Sequence, residues 1–197
     1  MRLILVRHGQ PQVPDAGPRG NPPLSPRGHE QARHVGAKLQ QERIDRILSS
    51  GMQRADATAQ PLADALGLPV EIHADLGEVD RWGGDYHSIE MIRQKGRDEW
   101  QTFLENPLEY FGVDADRFRN ETLAAFRAVV ETAGDDHIAI FTHGFPINIM
   151  LAHILGIDHD ARFVPFYGSV SRIAGKSFDG LVVVSVNESG HIPEVLR

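Results

Sequence analysis

Residues 5–9 read Leu-Val-Arg-His-Gly and residues 141–144 read Phe-Thr-His-Gly, so an apolar run twice stops on an imidazole followed by glycine. Such runs have the character of buried strands, and polar residues at a strand end reach the sheet edge where ligands of α/β folds sit. Between them, Leu48-Ser49-Ser50 leads into Gly51-Met52-Gln53-Arg54, which places Arg54 in the first turn of a helix. That position favours an anion, because helix N-termini carry free N–H groups and positive potential. The convergent set is Arg7, His8, Arg54 and His143. Arg holds phosphate through paired hydrogen bonds, and neutral imidazole is a nucleophile near pH 7. Gly9 and Gly144 let the backbone turn and a substrate approach closely.

Two guanidiniums and two imidazoles suit transfer of a phosphoryl group, whose charge is spread over three oxygens and whose catalysis is mostly positioning and charge stabilisation. One imidazole attacks phosphorus in line while the remaining cations neutralise the oxygens. The departing alkoxide needs a proton. Glu78, in Leu76-Gly77-Glu78, is the leading donor, with Asp75, Asp80 and Asp85 as rivals. The scheme calls for no metal and no other cofactor, since the arginine pair carries the charge.

Alternating strand and helix patterns must position this set, which predicts an α/β three-layer sandwich with a mainly parallel sheet and helices on both faces. The expected elements are strands at residues 3–7, 44–50, 70–73, 137–142, 170–174 and 181–187. Helices are expected at 26–43, with Ser25 as N-cap and Pro26 in the first turn, and at 52–66, with a kink or break at Pro61 and Gly67 as C-cap. Further helices are expected at 88–105, 117–133 and 145–155, with an irregular stretch at 106–116. The Pro/Gly-rich loop from Pro11 to Pro23 is too long for a simple connector. No repeat or linker divides the chain, so one domain over 1–197 is expected, with a helical, substrate-selecting segment at about 75–118.

The chain has 197 residues, 41% hydrophobic and 24% charged, which is ordinary for a soluble globular protein. A formal net charge of -7 argues against general affinity for nucleic acid or anionic membrane, but not against a small anionic substrate met by clustered arginines. The absence of cysteine removes disulfides, thiolate metal sites and a cysteine nucleophile together. Met1-Arg2 leads straight into an apolar run too short for a signal peptide or a membrane span, which sets the expectation of a cytoplasmic enzyme. His29, His34, His137, His153, His159 and His191 lack comparable surroundings and are read as surface or packing residues. His73 and His87 flank the acidic loop and are not assigned as ligands, and no helix offers the paired-His spacing of a zinc site.

Taken in order, Leu-Val-Arg-His-Gly (5–9), Leu24-Ser25 with Gly28 and Gln31-Ala32, Ser49-Ser50 with Arg54-Ala55 and Thr58-Ala59, Phe141-Thr142-His143-Gly144, and Gly168-Ser169-Val170-Ser171 resemble the histidine phosphatase superfamily, the phosphoglycerate-mutase-like fold. The resemblance covers almost the whole chain. It implies that His8 is the phosphorylated nucleophile, that Arg7, Arg54 and His143 form the phosphate pocket, and that Glu78 is the proton donor. Two positions depart from the family pattern. Pro14 stands where many members have a phosphate-holding Asn, so that role is vacant or passes to another residue such as Asn21 or Gln10, and Trp82 stands where a Gly commonly lies four residues after the acid. Arg81, Trp82 and Tyr86 are expected to roof the pocket and select the leaving group.

The expected activity is metal-independent hydrolysis of phosphomonoesters through a phosphohistidine. A phosphoglycerate-type mutase and a phosphate-binding module without turnover are the competing readings. The partner is a small phosphorylated substrate or a phosphoprotein. The residues name neither the natural substrate nor the oligomeric state.

Overall fold

A computed structural model describes residues 1–12, 20–83 and 86–197 of the chain. Pro14, Asp85 and much of the Pro/Gly-rich loop lie outside the described residues. Six strands form one sheet: β1 (Arg2–Arg7), β2 (Arg46–Ser49), β3 (Val70–Ile72), β4 (His137–Thr142), β5 (Val170–Ala174) and β6 (Val182–Glu188). Their order is β3-β2-β4-β1-β5-β6. The first four run parallel, and β5 is antiparallel to both its neighbours.

The central strands are apolar on both sides because both faces are covered. Leu3 and Leu5 of β1, with Ile138 and Ile140 of β4, face α5 (Ala115–Thr132) and α6 (Gly144–Leu155). Their alternates Ile4, Val6, Ala139 and Phe141 face α1 (Pro26–Leu39) and α2 (Gln53–Leu66). This alternation is the two-residue period of a strand read against two helical layers. A third apolar cluster joins α3 (Ile89–Gln94) and α4 (Arg97–Glu105) to the first turns of α5 and α6. Through Ile92, Phe103, Phe118 and Phe145 this helical segment sits beside the C-terminal edge of the parallel strands.

Differences from the expected elements have local causes. Helix α1 stops at Leu39 rather than Arg43. Helix α2 continues through Pro61 without a break, and Gly36 of α1 lies so close to Pro61 that a Cβ there would meet its ring at 2.9 Å. The helix expected over 88–105 is two helices, divided where Gly96 takes φ +115°, a conformation that L side chains rarely adopt. Helix α5 begins at Ala115, two residues early, because Asp114 caps it by accepting from the Arg117 backbone N–H at 2.9 Å. Ser25 caps α1 as expected, accepting from Gly28 N at 3.0 Å, and Gly67 ends α2 in the left-handed region.

Candidate active site

Register places the two imidazoles. β1 and β4 pair Arg7 with Thr142, and His8 N donates to Thr142 O at 3.0 Å, so the strand ends carry His8 and His143 side by side. Their ring centroids are 4.9 Å apart. Both residues are buried. His8 Nδ1 lies 2.7 Å from Gly9 O. A carbonyl only accepts, so Nδ1 carries the proton and Nε2 keeps its lone pair. Burial, then the charges of Arg54 and Arg7, hold the His8 pKa well below the ordinary imidazole value. Burial and Arg54 do the same to His143. Both rings are therefore neutral near pH 7.

Strand β2 supplies the next group. His143 Nε2 lies 2.8 Å from Ser50 Oγ, and Ser50 stands beside Phe141 because its backbone N–H donates there at 3.2 Å. Arg54 follows in the first turn of α2, wholly enclosed. Its Nη2 donates to Asp80 Oδ1 at 2.8 Å, while Nε and Nη1 find no partner among the described residues. His143 Nδ1 is likewise unpartnered among them. Buried donors without acceptors are costly and mark a place where an anion would be held. Arg7 donates from Nη1 to Pro165 O at 2.6 Å and lies 4.1 Å from the centre of the Tyr167 ring.

Glu78 faces this cluster from the loop after β3. Its Oε1 accepts from Val79 N at 3.2 Å, and its Oε2 accepts from Phe145 N at 3.3 Å in the first turn of α6. Burial and the neighbouring Asp80 carboxylate raise its pKa to about 7, against the opposing pull of Arg54 and Arg7. A Cβ on Gly144 would stand 3.6 Å from Glu78 Oε2, an ordinary contact, so this turn does not depend on glycine for its closeness to the carboxyl. A carboxyl that is half protonated near neutrality can both give and take a proton.

Arg7, His8, Glu78, Tyr86 and Gly144 line one narrow, partly open cavity of about 50 Å³. An outer cleft of about 570 Å³ shares Arg7 and Tyr86 with it and adds Gln10, Gln31 and Tyr167. Arg54 and His143 lie behind this surface, under Tyr86 and beside His8 respectively. The Tyr86 ring centre is 4.9 Å from Arg54, and its hydroxyl meets that of Tyr167 at 3.3 Å. Burial pushes the Tyr86 phenol well above its ordinary range, so it keeps its proton.

Several residues expected here stand elsewhere. Gly9 N donates to Thr58 Oγ1 at 2.9 Å, and a Cβ on Gly9 would meet Gly28 O at 2.5 Å; its role is close packing against α1. Gln10 lines the outer cleft, where its Oε1 accepts from the Ser25 hydroxyl at 3.2 Å. Asn21 lines neither cavity; its Oδ1 caps α2 by accepting from Gln53 N at 2.8 Å, and its own N donates to Asp80 Oδ2 at 3.3 Å. Arg81 and Trp82 also lie away from both cavities. Arg81 Nη2 donates to Glu121 of α5 at 2.8 Å, and its guanidinium lies 4.6 Å from the centre of the Trp82 ring. Trp82 also lies under Arg117, at 4.6 Å, and edge-on to Phe118, so it and Arg81 anchor the acidic loop to α5.

Asp75 is exposed, and Asp80 is committed to Arg54, which leaves Glu78 as the described carboxyl beside His8 in the cavity. Ser50, Asp80 and Tyr167 belong to the site, yet spacing assigned them no phosphate-holding role. The available signal was adjacency: Ser50 stands beside the second strand end, and Tyr167 immediately precedes Gly168-Ser169.

Residues 3–188 match the histidine phosphatase superfamily (branch 1), and the chain belongs to that superfamily. Among its curated relatives, phosphoserine phosphatase 1 of Hydrogenobacter thermophilus is 28% identical over 166 residues, covering 80% of this chain and 78% of the relative. A probable phosphoglycerate mutase of Salmonella paratyphi A is 25% identical over 165 residues, covering 80% and 76%. Among solved structures, a phosphoserine phosphatase of Entamoeba histolytica in complex with 3-phosphoglyceric acid shares the fold, with a TM-score of 0.75 at 22% identity over 98% of this chain and 99% of that one.

Proposed function

We propose that the protein hydrolyses phosphomonoesters in two steps through a phosphohistidine at His8. The observation that carries this reading is the buried cluster itself: a neutral His8 presenting Nε2 beside Arg54, whose Nε and Nη1 have no partner among the described residues. The phosphatase name carried by the Hydrogenobacter relative supports it. In the first step, His8 Nε2 bonds to phosphorus, the ester P–O bond breaks, and Glu78 gives its proton to the departing oxygen. In the second, Glu78 takes a proton from water, the water oxygen bonds to phosphorus, and the P–N bond breaks, returning free His8 and inorganic phosphate.

Arg7, Arg54 and His143 hold the phosphoryl oxygens throughout. Ser50 orients His143, and Asp80 orients Arg54. The guanidiniums supply the charge neutralisation, so the reaction proceeds without a metal. A cytoplasmic setting belongs to this reading, since small phosphate esters are charged and do not cross bilayers. The test is a panel of phosphomonoesters assayed for released phosphate with chelator present. Phosphate release that survives chelator and is lost in His8→Ala supports the proposal. Isomerised phosphoglycerate without phosphate release would replace it with a mutase.

A further inference from the structure

Resting on that phosphatase reading, we infer that the substrates are monoesters of apolar alcohols, alkyl or aralkyl, whose hydrocarbon part occupies the cavity beside His8. Direction comes first. The leaving oxygen must lie at Glu78, and Glu78 lines the inner cavity with His8 but not the outer cleft. The group attached to that oxygen therefore enters the inner cavity.

The walls there are apolar: Ile92, Phe103, Phe111, Phe145, Phe163 and Pro165. Phe111 and Phe145 meet edge to face, with ring centres 5.6 Å apart, and Phe103 packs on Phe111 in the same way at 6.1 Å. The polar side chains among the lining residues make contacts within the protein. Asn148 Nδ2 donates to Gly144 O at 2.9 Å and to Phe163 O at 3.0 Å, and its Oδ1 accepts from Phe163 N at 2.8 Å. Ser88 Oγ caps α3 by accepting from Met91 N, and His87 lays its ring against Phe111. Among the described lining residues Arg7 is the one arginine or lysine, and it is claimed by the phosphate. A carboxylate on the leaving group would find no second guanidinium or ammonium among the described lining residues, and would lose water at a cost. A hydrocarbon loses nothing and is removed from water.

Further cations, Arg27, Arg93 and Arg197, line only the outer cleft. Arg27 is held by the backbone carbonyls of Leu196 and Arg197, and Arg93 lies over Trp100 at 4.5 Å.

The test compares kcat/KM for hexyl phosphate and benzyl phosphate with that for phosphoserine and 3-phosphoglycerate. All four release a primary alcohol, so differences report the pocket rather than leaving-group chemistry. The expected result is a preference of about tenfold or more for the apolar esters. Narrowing the cavity with Ala161→Phe should lower that ratio by about the same factor. Equal or better turnover of phosphoserine or 3-phosphoglycerate by the unaltered protein would overturn the inference. If none of the four is hydrolysed, the phosphatase reading fails separately, and calorimetry on His8→Ala then decides the cavity. Benzyl phosphate binding about tenfold tighter than phosphoserine upholds the assignment, and the reverse order refutes it.

Discussion

Asp80 and Arg54 form an ion pair of 2.8 Å with almost no access to solvent for either side chain. The pair spans the site: Arg54 starts the helix after the second strand, while Asp80 belongs to the loop that carries Glu78. Asp80 also accepts from Asn21 N, so one carboxylate joins three segments distant in sequence. Removing one partner of a buried pair leaves the other charged and uncompensated. Asp80→Ala should therefore cost about 3–5 kcal/mol of stability. A thermal melt should fall by on the order of 10 °C, and inorganic phosphate should recover part of the loss by taking the carboxylate's place beside Arg54. An unchanged melting temperature would show that Arg54 is not held in this way.

Glu78 acts on the leaving oxygen, so its removal should matter in proportion to how badly that oxygen needs a proton. Glu78→Gln should lower kcat/KM for an alkyl phosphate by roughly 10²–10⁴. For p-nitrophenyl phosphate, whose phenolate departs readily, the loss should be much smaller. In the unaltered protein, kcat/KM for alkyl esters should decline as pH rises through about 7, where Glu78 loses its proton. An equal loss on both esters would assign Glu78 to another task.

The same carboxyl makes a prediction about stability. Its pKa is raised on folding, so the folded chain holds the proton more tightly than the unfolded one. That contribution is present below the ordinary glutamate value and is lost as pH rises through about 7. Glu78→Gln, which cannot ionise, should gain stability relative to the unaltered protein between pH 5 and pH 8. Denaturant titrations at the two pH values measure the difference. A gap that is the same at both would mean that the carboxylate is not penalised.

Trp82 stands between Arg81 and Arg117 on the surface of α5, edge-on to Phe118. Trp82→Ala should reduce stability by about 1–3 kcal/mol through lost packing. The ranking of phosphate esters should stay as it was, since the indole lines neither cavity. A reordered ranking, measured as kcat/KM across the panel, would return Trp82 to substrate selection.

The parts legible from the amino-acid order are those set by local pattern. Strand ends are visible because an apolar run stops on polar residues, which marked Arg7, His8, His143 and the approach to Arg54. Their meeting then needed only a parallel sheet with β1, β4 and β2 adjacent. What spacing did not disclose are loops that fold back on the site. Asp80 could be read as a rival acid because nothing local says that it pairs with Arg54. Trp82 and Tyr86 belong to one loop, yet one packs outward on α5 and the other inward over Arg54. Asn21 looked like a phosphate ligand, whereas its amide caps α2. Each of these depends on a contact between distant segments, for which composition carries no signal.

The most direct measurement is to locate the phosphoryl group during turnover. The protein should be mixed with an isotopically labelled phosphate ester, quenched in alkali, where phosphohistidine persists, and mapped by peptide mass spectrometry. The expected result is label on His8 alone, absent from His8→Ala, which should also show no phosphate release. Label on another residue, or continued turnover by His8→Ala, would contradict the assignment of His8 as the nucleophile.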